Sequence, residues 1–270
     1  AEVPRGCPWS ILLLKLDTFK SGAAVILPEK RGFQGHSARA PAPAAAKAVA
    51  FFNSKPFYPQ GGDIMNVLLI NGSPHKNGCT FTALSEVADQ LNAQGIATHI
   101  LHIGTKGVQG CIACKKCADS GRCVFDDDPV NEAVDRLTRA DGLVIGSPVY
   151  YAGPNGALCA FLDRLFYMKN ARYAYKPAAA LVSCRRAGSS AALDRLTKYF
   201  TISNMPVVSS RYWNEVHGNT PDEVRRDLEG MQVMRVLGRN MAWLLRCIEA
   251  ARSVVPYPEA EAPIWTNFVR

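Results

Sequence analysis

The sequence predicts an α/β fold in which a doubly wound, five-stranded parallel sheet carries helices on both faces. Short strand-like segments alternate with helical patterns from Met65 onward, and turn-forming residues separate one segment from the next. Apolar residues make up 48% of the 270 residues and charged residues 20%, which is typical of soluble globular proteins. The apolar runs are far shorter than the roughly 20 residues that cross a bilayer, so we expect no membrane segment.

Five segments have the composition and the flanking residues of strands. The predicted strands are residues 66–70, 96–103, 143–145, 178–183 and 207–213. The apolar runs of the first and third indicate strands buried in the sheet, as in a parallel sheet covered on both faces.

Five helical patterns follow these strands in turn. The predicted helices begin at Thr80, Asp127, Gly156, Ser189 and Thr220, and the last runs with a break to Ala251. An N-cap residue followed by a first-turn proline supports two of these starts, at Asp128-Pro129 and Thr220-Pro221. Sheets of this class bind ligands at the carboxyl ends of their strands, which directs attention to the loops there.

The first 64 residues show no sustained periodicity and include an Ala/Pro-rich run at 38–47. We expect residues 1–64 to be a disordered N-terminal extension or a non-native translated leader, with Met65 as the biological start. The predicted ligand-binding domain then covers residues 65–252, and residues 253–270 form a C-terminal tail.

A turn-rich loop, Asn71–Thr80, joins the first strand directly to a helix. Such a loop presents backbone N–H groups and the positive end of the helix dipole, and both suit a phosphate. Ser73 and Thr80 add hydroxyl groups, and Lys76 adds a positive charge. Cys79 stands where a Walker A loop has lysine, and the G-x-G-x-x-G pattern of dinucleotide sites is missing. The alternative is a helix-capping turn that binds no ligand.

A second loop follows the third strand, at residues 146–154. Its adjacent aromatic residues, Tyr150 and Tyr151, and its backbone amides suit a flat conjugated ring. The alternative is that the two tyrosines only cover the edge of the sheet. Together with the phosphate-like loop, the pattern favours a ligand.

Three motifs resemble those of one family, the flavodoxin-like NAD(P)H-dependent FMN reductases, which include the iron–sulfur flavoproteins. They are Gly72-Ser-Pro-x-x-x-Gly-x-Thr80, Ser147-Pro-Val-Tyr-Tyr-x-Gly153 and Phe161-Leu-Asp-Arg164. The resemblance implies a flavodoxin-like fold that binds FMN, with its phosphate on residues 73–80 and its isoalloxazine against residues 148–153. The implied FMN-binding residues are Ser73, Lys76, Asn77, Gly78, Cys79, Thr80, Pro148, Val149, Tyr150, Tyr151 and Gly153.

The resemblance also implies an enzyme that passes a hydride from NAD(P)H to FMN and then reduces a quinone, a free flavin or another small acceptor. Because the flavin carries the chemistry, we nominate no catalytic acid or base. We expect a cytoplasmic homodimer or homotetramer. Half of the net charge of +8 lies in the first 64 residues. The net charge of the remaining residues is therefore too small to indicate a nucleic acid as partner.

Two further features lie at predicted strand ends. Arg185 and Arg186 follow the fourth strand and are available to the flavin or to the phosphates of a nicotinamide, or else are solvated surface. His217 follows the fifth strand, and we expect it to be a loop histidine with a local partner.

Four cysteines crowd into thirteen residues: Cys111, Cys114, Cys117 and Cys123. Two C-x-x-C steps and a fourth cysteine beyond Gly121 indicate a metal or redox site. The resemblance to iron–sulfur flavoproteins implies a [4Fe–4S] cluster, zinc also accepts four thiolates, and free thiols or a redox disulfide are the remaining interpretation. With a cluster, the alternative function is an electron-transfer protein that works between ferredoxin and FMN.

Overall fold

The computed structural model describes residues 64–168 and 173–259, together with residues 261, 264 and 266. The predicted N-terminal extension, apart from Ile64, therefore lies outside the described residues. Much of the predicted tail lies outside them as well.

Five parallel strands form the sheet, and the predicted α/β class is confirmed. They are β1 (Asn66–Asn71), β2 (Ala97–His102), β3 (Gly142–Tyr150), β5 (Ala178–Cys184) and β6 (Glu215–His217). A two-residue strand, β4 (Gly153–Pro154), folds back antiparallel on the end of β3. The parallel strands lie in the order β2-β1-β3-β5-β6. The order of addition reverses between β1 and β3, which makes that boundary the switch point where such sheets bind ligands.

Seven helices occur in the described residues. They are α1 (Cys79–Asn92), α2 (Cys117–Ser120), α3 (Val130–Arg139), α4 (Gly156–Tyr167), α5 (Ser189–Ile202), α6 (Pro221–Arg226) and α7 (Leu228–Ala251). The predicted break in the last helix falls between α6 and α7, at Asp227. The Asp227 side chain accepts from the Gly230 N–H and so caps α7.

Alternating apolar residues of the strands separate the core into two layers. Leu68 and Ile70 on β1 pack with buried residues of α3, α4 and α5 on one face. Val67 and Leu69 pack with α1 and α7 on the other face. Because successive strand residues point to opposite faces, an unbroken apolar run is what a sheet with two covered faces requires. The prediction of helices on both faces is confirmed.

The predicted fifth strand at 207–213 is wrong in its position. Val207 makes a single bridge to Ala178, and the strand that pairs with β5 is β6. Between them Asn214 reaches the sheet through both its backbone and its side chain: its O accepts from Val182 N–H at 2.9 Å, and its Nδ2 donates to Ala180 O at 2.9 Å. Tyr212 and Trp213 point to solvent. The chain thus leaves the edge of the sheet after Val208 and rejoins it at Asn214.

Within the described part of the chain, no helix combines the length and the apolar character that crossing a membrane requires.

Candidate functional site

The loop after β1 turns in close contact with β3. Gly72 N–H donates to Gly146 O at 2.8 Å. A Cβ at Gly72 would lie 2.9 Å from Gly146 O and would overlap the Leu158 side chain of α4. Glycine is required here because backbone packs against backbone at the switch point.

The shape of this loop is fixed by its own polar groups. Asn71 Oδ1 accepts from Ser73 N at 3.1 Å, and Asn71 Nδ2 donates to Lys76 O at 3.1 Å. Ser73 Oγ accepts from His75 N at 3.1 Å. His102, at the end of β2, holds the loop from the side, with Nε2 2.8 Å from Ser73 O. No sequence motif points to His102, although its place near the end of a predicted strand is a signal for it.

Helix α1 begins directly after this loop, with Gly78 as its N-cap. Among the described residues, no side chain caps it and no acidic residue occupies its first turn. The first backbone N–H groups of a helix have no intrahelical partner, and the helix dipole adds a partial positive charge. This arrangement fits an anion such as a phosphate.

Thr80 links the start of α1 to β5. Its Oγ1 lies 2.8 Å from Ser183 Oγ, and both residues are buried. Cys79 is half-buried, with its Sγ 3.7 Å from Gly218 O, and burial raises the pKa of its thiol. Lys76 and Asn77 are exposed at the tip of the loop. The predicted phosphate residues therefore share one loop, but Ser183 was not predicted as a member of this site.

The second predicted loop is a tight hairpin between β3 and β4. Tyr150 pairs with Gly153, and the two residues between them, Tyr151 and Ala152, have φ values of 50° and 59°. Positive φ at both central residues defines the type I′ geometry, which L-residues other than Asn and Asp rarely adopt. Strained backbone of this kind concentrates at functional sites. It leaves the Tyr151 side chain fully exposed, at 107% relative accessibility.

A third loop, after β5, closes against this hairpin. Gly188 has φ +89°, and a Cβ there would lie 2.8 Å from Ala152 Cα. Arg185 and Arg186 of this loop are both exposed. His217 lies at the end of β6, where its backbone N–H donates to Asp227 Oδ2 at 2.7 Å. Its ring Nδ1 is 3.7 Å from the same oxygen, so Asp227 is a local partner as expected, but His217 belongs to strand β6 and not to a loop.

We call residues 72–80, 148–153 and 184–188 together the flavin edge. They follow β1, β3 and β5, so they share the carboxyl edge of the sheet and flank the switch point. An uncapped helix start suits an anionic group, and a glycine-dependent, closely packed loop beside an exposed aromatic hairpin suits a planar one. The residues present fit FMN.

The four cysteines lie in the segment between β2 and α3, residues 103–129, which we call the cysteine loop. They line one small cavity that opens to solvent. Cys111 and Cys114 are exposed, whereas Cys117 and Cys123 are half-buried. Burial, and next the other three sulfurs, raise the pKa of Cys117.

Four thiols around one cavity are a donor set that suits iron–sulfur clusters and zinc. Across the described residues, no three His, Cys, Asp or Glu side chains stand in an arrangement that would already hold a metal ion. The four thiols thus line one cavity without a ready-made coordination geometry, while the chemistry of the donor set fits a metal.

Arg164 of α4 also lines this cavity and is almost completely buried, with 2% of its surface exposed. Its Nε donates to Cys123 Sγ at 3.1 Å, and it forms a buried ion pair with Asp128. Burial alone would lower the pKa of Arg164, but its bonds to Asp128 and Cys123 raise it above the usual value. The sequence offered one signal, the place of Arg164 in the motif Phe161-Leu-Asp-Arg164.

Asn131, at the start of α3, fixes the last cysteine from the other side. Its Oδ1 accepts from Cys123 N at 2.8 Å, and its Nδ2 donates to Cys123 O at 3.1 Å. The same Nδ2 also donates to Phe125 O and Asp126 Oδ1. Cys123 is thus held at both its backbone and its sulfur.

The strand order and the loops at its carboxyl edge define a protein of the flavodoxin-like class. A family model described as NADPH-dependent FMN reductase matches residues 65–220. The chain therefore belongs to the NADPH-dependent FMN reductase family and is an FMN-dependent oxidoreductase.

Its relatives include two archaeal iron-sulfur flavoproteins. One, from Methanocaldococcus jannaschii, is 28% identical over 193 residues, which is 68% of this chain and 100% of that protein. Another, from Methanosarcina thermophila, is 26% identical over 192 residues, which is 70% of this chain and 99% of that protein.

Solved structures show the same fold. The structure of RosB with the bound intermediate 8-demethyl-8-formylriboflavin-5'-phosphate has a TM-score of 0.56 at 16% identity, and covers 76% of this chain and 92% of that one. A flavone reductase has a TM-score of 0.54 at 16% identity, and covers 69% of this chain and 65% of that one.

Proposed function

We propose that the chain passes a hydride from NAD(P)H to FMN bound at the flavin edge, and then passes electrons to a quinone, a free flavin or another small acceptor. The observation that carries this proposal is the start of α1. In the described residues it lacks a side-chain cap and a first-turn acid, and it opens at the switch point of the sheet. The first amides of α1 and the hydroxyl groups of Ser73 and Thr80 would bind the phosphate.

The hairpin after β3 would bind the ring. Pro148, Val149 and Gly153 supply close-packed backbone, and Tyr150 and Tyr151 supply apolar surface beside it. Because bound FMN supplies the redox chemistry, these residues need only orient the ring against the nicotinamide and exclude water. Arg185 and Arg186 are exposed in the loop that packs on this hairpin, and we assign them to the phosphates of the nicotinamide donor.

A matched pair of threonines tests the phosphate loop. Thr80→Val removes the hydroxyl group at the proposed site. Thr82→Val removes a hydroxyl group further along α1, which donates back to the N-cap carbonyl, Gly78 O, at 3.1 Å. We expect the Kd for FMN, measured by quenching of flavin fluorescence, to rise about tenfold for Thr80→Val, the loss of one hydrogen bond. Thr82→Val should change it less than about threefold. Equal effects of the two variants would place the phosphate elsewhere.

A second candidate function is supported by the cysteine loop: an iron–sulfur flavoprotein in which a cluster exchanges single electrons with FMN. The four thiols around one cavity carry it, and the relatives' names agree. Cys111, Cys114, Cys117 and Cys123 would be its ligands.

Protein purified without oxygen decides between the two candidates. About four irons and four acid-labile sulfides per chain, with reduction by a reduced ferredoxin faster than by NADPH, would support the iron–sulfur electron-transfer protein. Flavin absorption without iron, with rapid bleaching by NADPH, would support the simple reductase. Zinc in place of iron would make the cysteine loop structural.

A further inference from the structure

Arg164 is a buried cation whose contacts go beyond what packing requires. We propose that Arg164 is the positioning residue of the four-cysteine site: it fixes the Cys123 sulfur as the preset ligand around which the other three thiolates assemble. The inference rests on the second candidate function, in that it assumes a metal or cluster held by these thiols.

The guanidinium fastens both ends of the cysteine loop. Nη1 donates to Gln109 O at 3.2 Å, ahead of the first cysteine. Nη2 donates to Phe125 O at 3.0 Å, and the ion pair with Asp128 lies beyond the last cysteine. Five N–H donors in a rigid plane allow one arginine to serve all of these acceptors and the Cys123 sulfur together.

The ion pair explains how the guanidinium stays buried. Asp128 is also buried, with 4% of its side chain exposed, and it neutralises the charge that burial would otherwise penalise. The ion pair with Asp128 and the hydrogen bonds to the two carbonyl oxygens orient the guanidinium so that Nε points at Cys123 Sγ, 3.1 Å away. The Phe125 ring lies against the guanidinium, with Arg164 Cζ 5.2 Å from its centroid. A donor placed on a ligand atom in this way orients the ligand and tunes the metal.

The four thiols are therefore not equivalent. Cys123 is fixed through its backbone by Asn131 and through its sulfur by Arg164. Cys111 and Cys114 are exposed, on a stretch where Ala113 and Lys115 have φ values of 53° and 61°. Assembly of the site then means that these outer cysteines close onto a sulfur that is already in place.

The test is cobalt binding to the reduced full-length chain under anaerobic conditions, followed by the thiolate-to-cobalt charge-transfer absorption. Arg164→Lys keeps a cation beside Asp128 but loses the planar fork, so it spares the ion pair and removes the Nε–Sγ bond. We expect it to weaken cobalt affinity about 10- to 100-fold, the usual cost of losing such a partner. Its charge-transfer intensity should fall to about that of Cys123→Ser, which has three thiolates in place of four.

Two controls separate positioning from general destabilisation. Arg122→Lys makes the same substitution beside Cys123, at an exposed arginine that bonds Asp135 at 2.8 Å, and should change cobalt affinity less than about threefold. In a Cys123→Ala background, which leaves no acceptor for Nε, Arg164→Lys should add less than about threefold, because its partner is already gone.

Each result has a distinct meaning. An equal loss of affinity from Arg164→Lys with and without Cys123, or full cobalt affinity in Arg164→Lys, would overturn the positioning role while leaving the four-thiol site intact. If the unmodified chain binds no cobalt through thiolates, the site itself is absent and the inference falls with it.

Discussion

The flavin edge and the cysteine loop lie in one domain, but different kinds of contact hold them. At the flavin edge, backbone meets backbone: a Cβ at Gly72 or Gly188 would collide with a neighbouring segment. The hydrogen bonds there join neutral groups, such as the hydroxyls of Thr80 and Ser183. In the cysteine loop, an ionised side chain from another element, Arg164, joins the two ends, and the amide of Asn131 adds neutral bonds near Cys123.

This difference indicates how each region meets its ligand. Close backbone packing sets the shape of the flavin edge without a ligand, which would lower the ordering cost of the FMN binding proposed there. The cysteine loop has a fixed end at Cys123 and an exposed end at Cys111 and Cys114. If the cysteine loop binds a metal as proposed, its final shape would depend on that metal, as in other sites where metal binding and folding are coupled. We therefore expect the stability of the cysteine loop to depend on the buried charge, and that of the flavin edge to depend on the space between its closely packed backbones.

The largest effect should come from removing the buried cation. Arg164→Met leaves the buried Asp128 carboxylate without its partner, and we expect the free energy of unfolding to fall by about 3–5 kcal/mol in urea denaturation. Arg122→Met breaks an exposed ion pair in the same loop and should cost less than about 1 kcal/mol. Similar small losses in both variants would mean that charge does not hold the cysteine loop.

A second buried cation supports the helix that follows the cysteine loop. Lys176 is fully buried, and its Nζ donates to Leu137 O, Thr138 O and Ala140 O at 2.8, 2.8 and 2.6 Å. It thereby closes the C-terminal end of α3. Burial lowers the pKa of Lys176 from 10.5 to about 8, and the charge of Asp141 only partly opposes this.

This shift predicts a pH dependence. Between about pH 8 and 10.5 the unfolded chain keeps the Lys176 proton that the folded chain has released, so stability rises with pH across that window. Below about pH 8 both states hold the proton and the slope vanishes. We expect the difference in free energy of unfolding between the unmodified chain and Lys176→Met to grow by about 2–3 kcal/mol over the window. A flat difference would show that the three carbonyls keep the lysine protonated.

Local patterns were sufficient to predict most of the fold. The apolar run of β1 and the turn residues after it are adjacent in sequence, so the strand, the loop and the start of α1 could be located together. The edge strand could not be located in this way. Its position depends on hydrogen bonds that join Asn214 to Val182 and Ala180 of β5, which are distant in sequence, and no local pattern reports such bonds.

The same limit applies to the site. Ser73 and Thr80 belong to one loop and were predicted from it, whereas Ser183 and His102 meet that loop only in three dimensions. Arg164 was visible only as part of a motif. Its sulfur partner lies 41 residues away in sequence, so its role becomes evident only once α4 packs against the cysteine loop.

The smallest effect we predict compares the space around two glycines. Gly72→Ala introduces a methyl group against Leu158 and Gly146 O, and overpacking of this kind should lower the free energy of unfolding by about 1–2 kcal/mol. Because the same methyl group displaces the loop from β3, bound FMN should be lost during gel filtration.

Gly107→Ala makes the same change in the cysteine loop, where nothing lies within 4 Å of the added Cβ. It should leave stability within about 0.5 kcal/mol and retain FMN. If Gly107→Ala proved as costly as Gly72→Ala, the cysteine loop would be as closely packed as the flavin edge. If both variants kept FMN and stability, the tight approach of Gly72 to β3 would not be what shapes the flavin edge, and the contrast between the two regions would rest on charge alone.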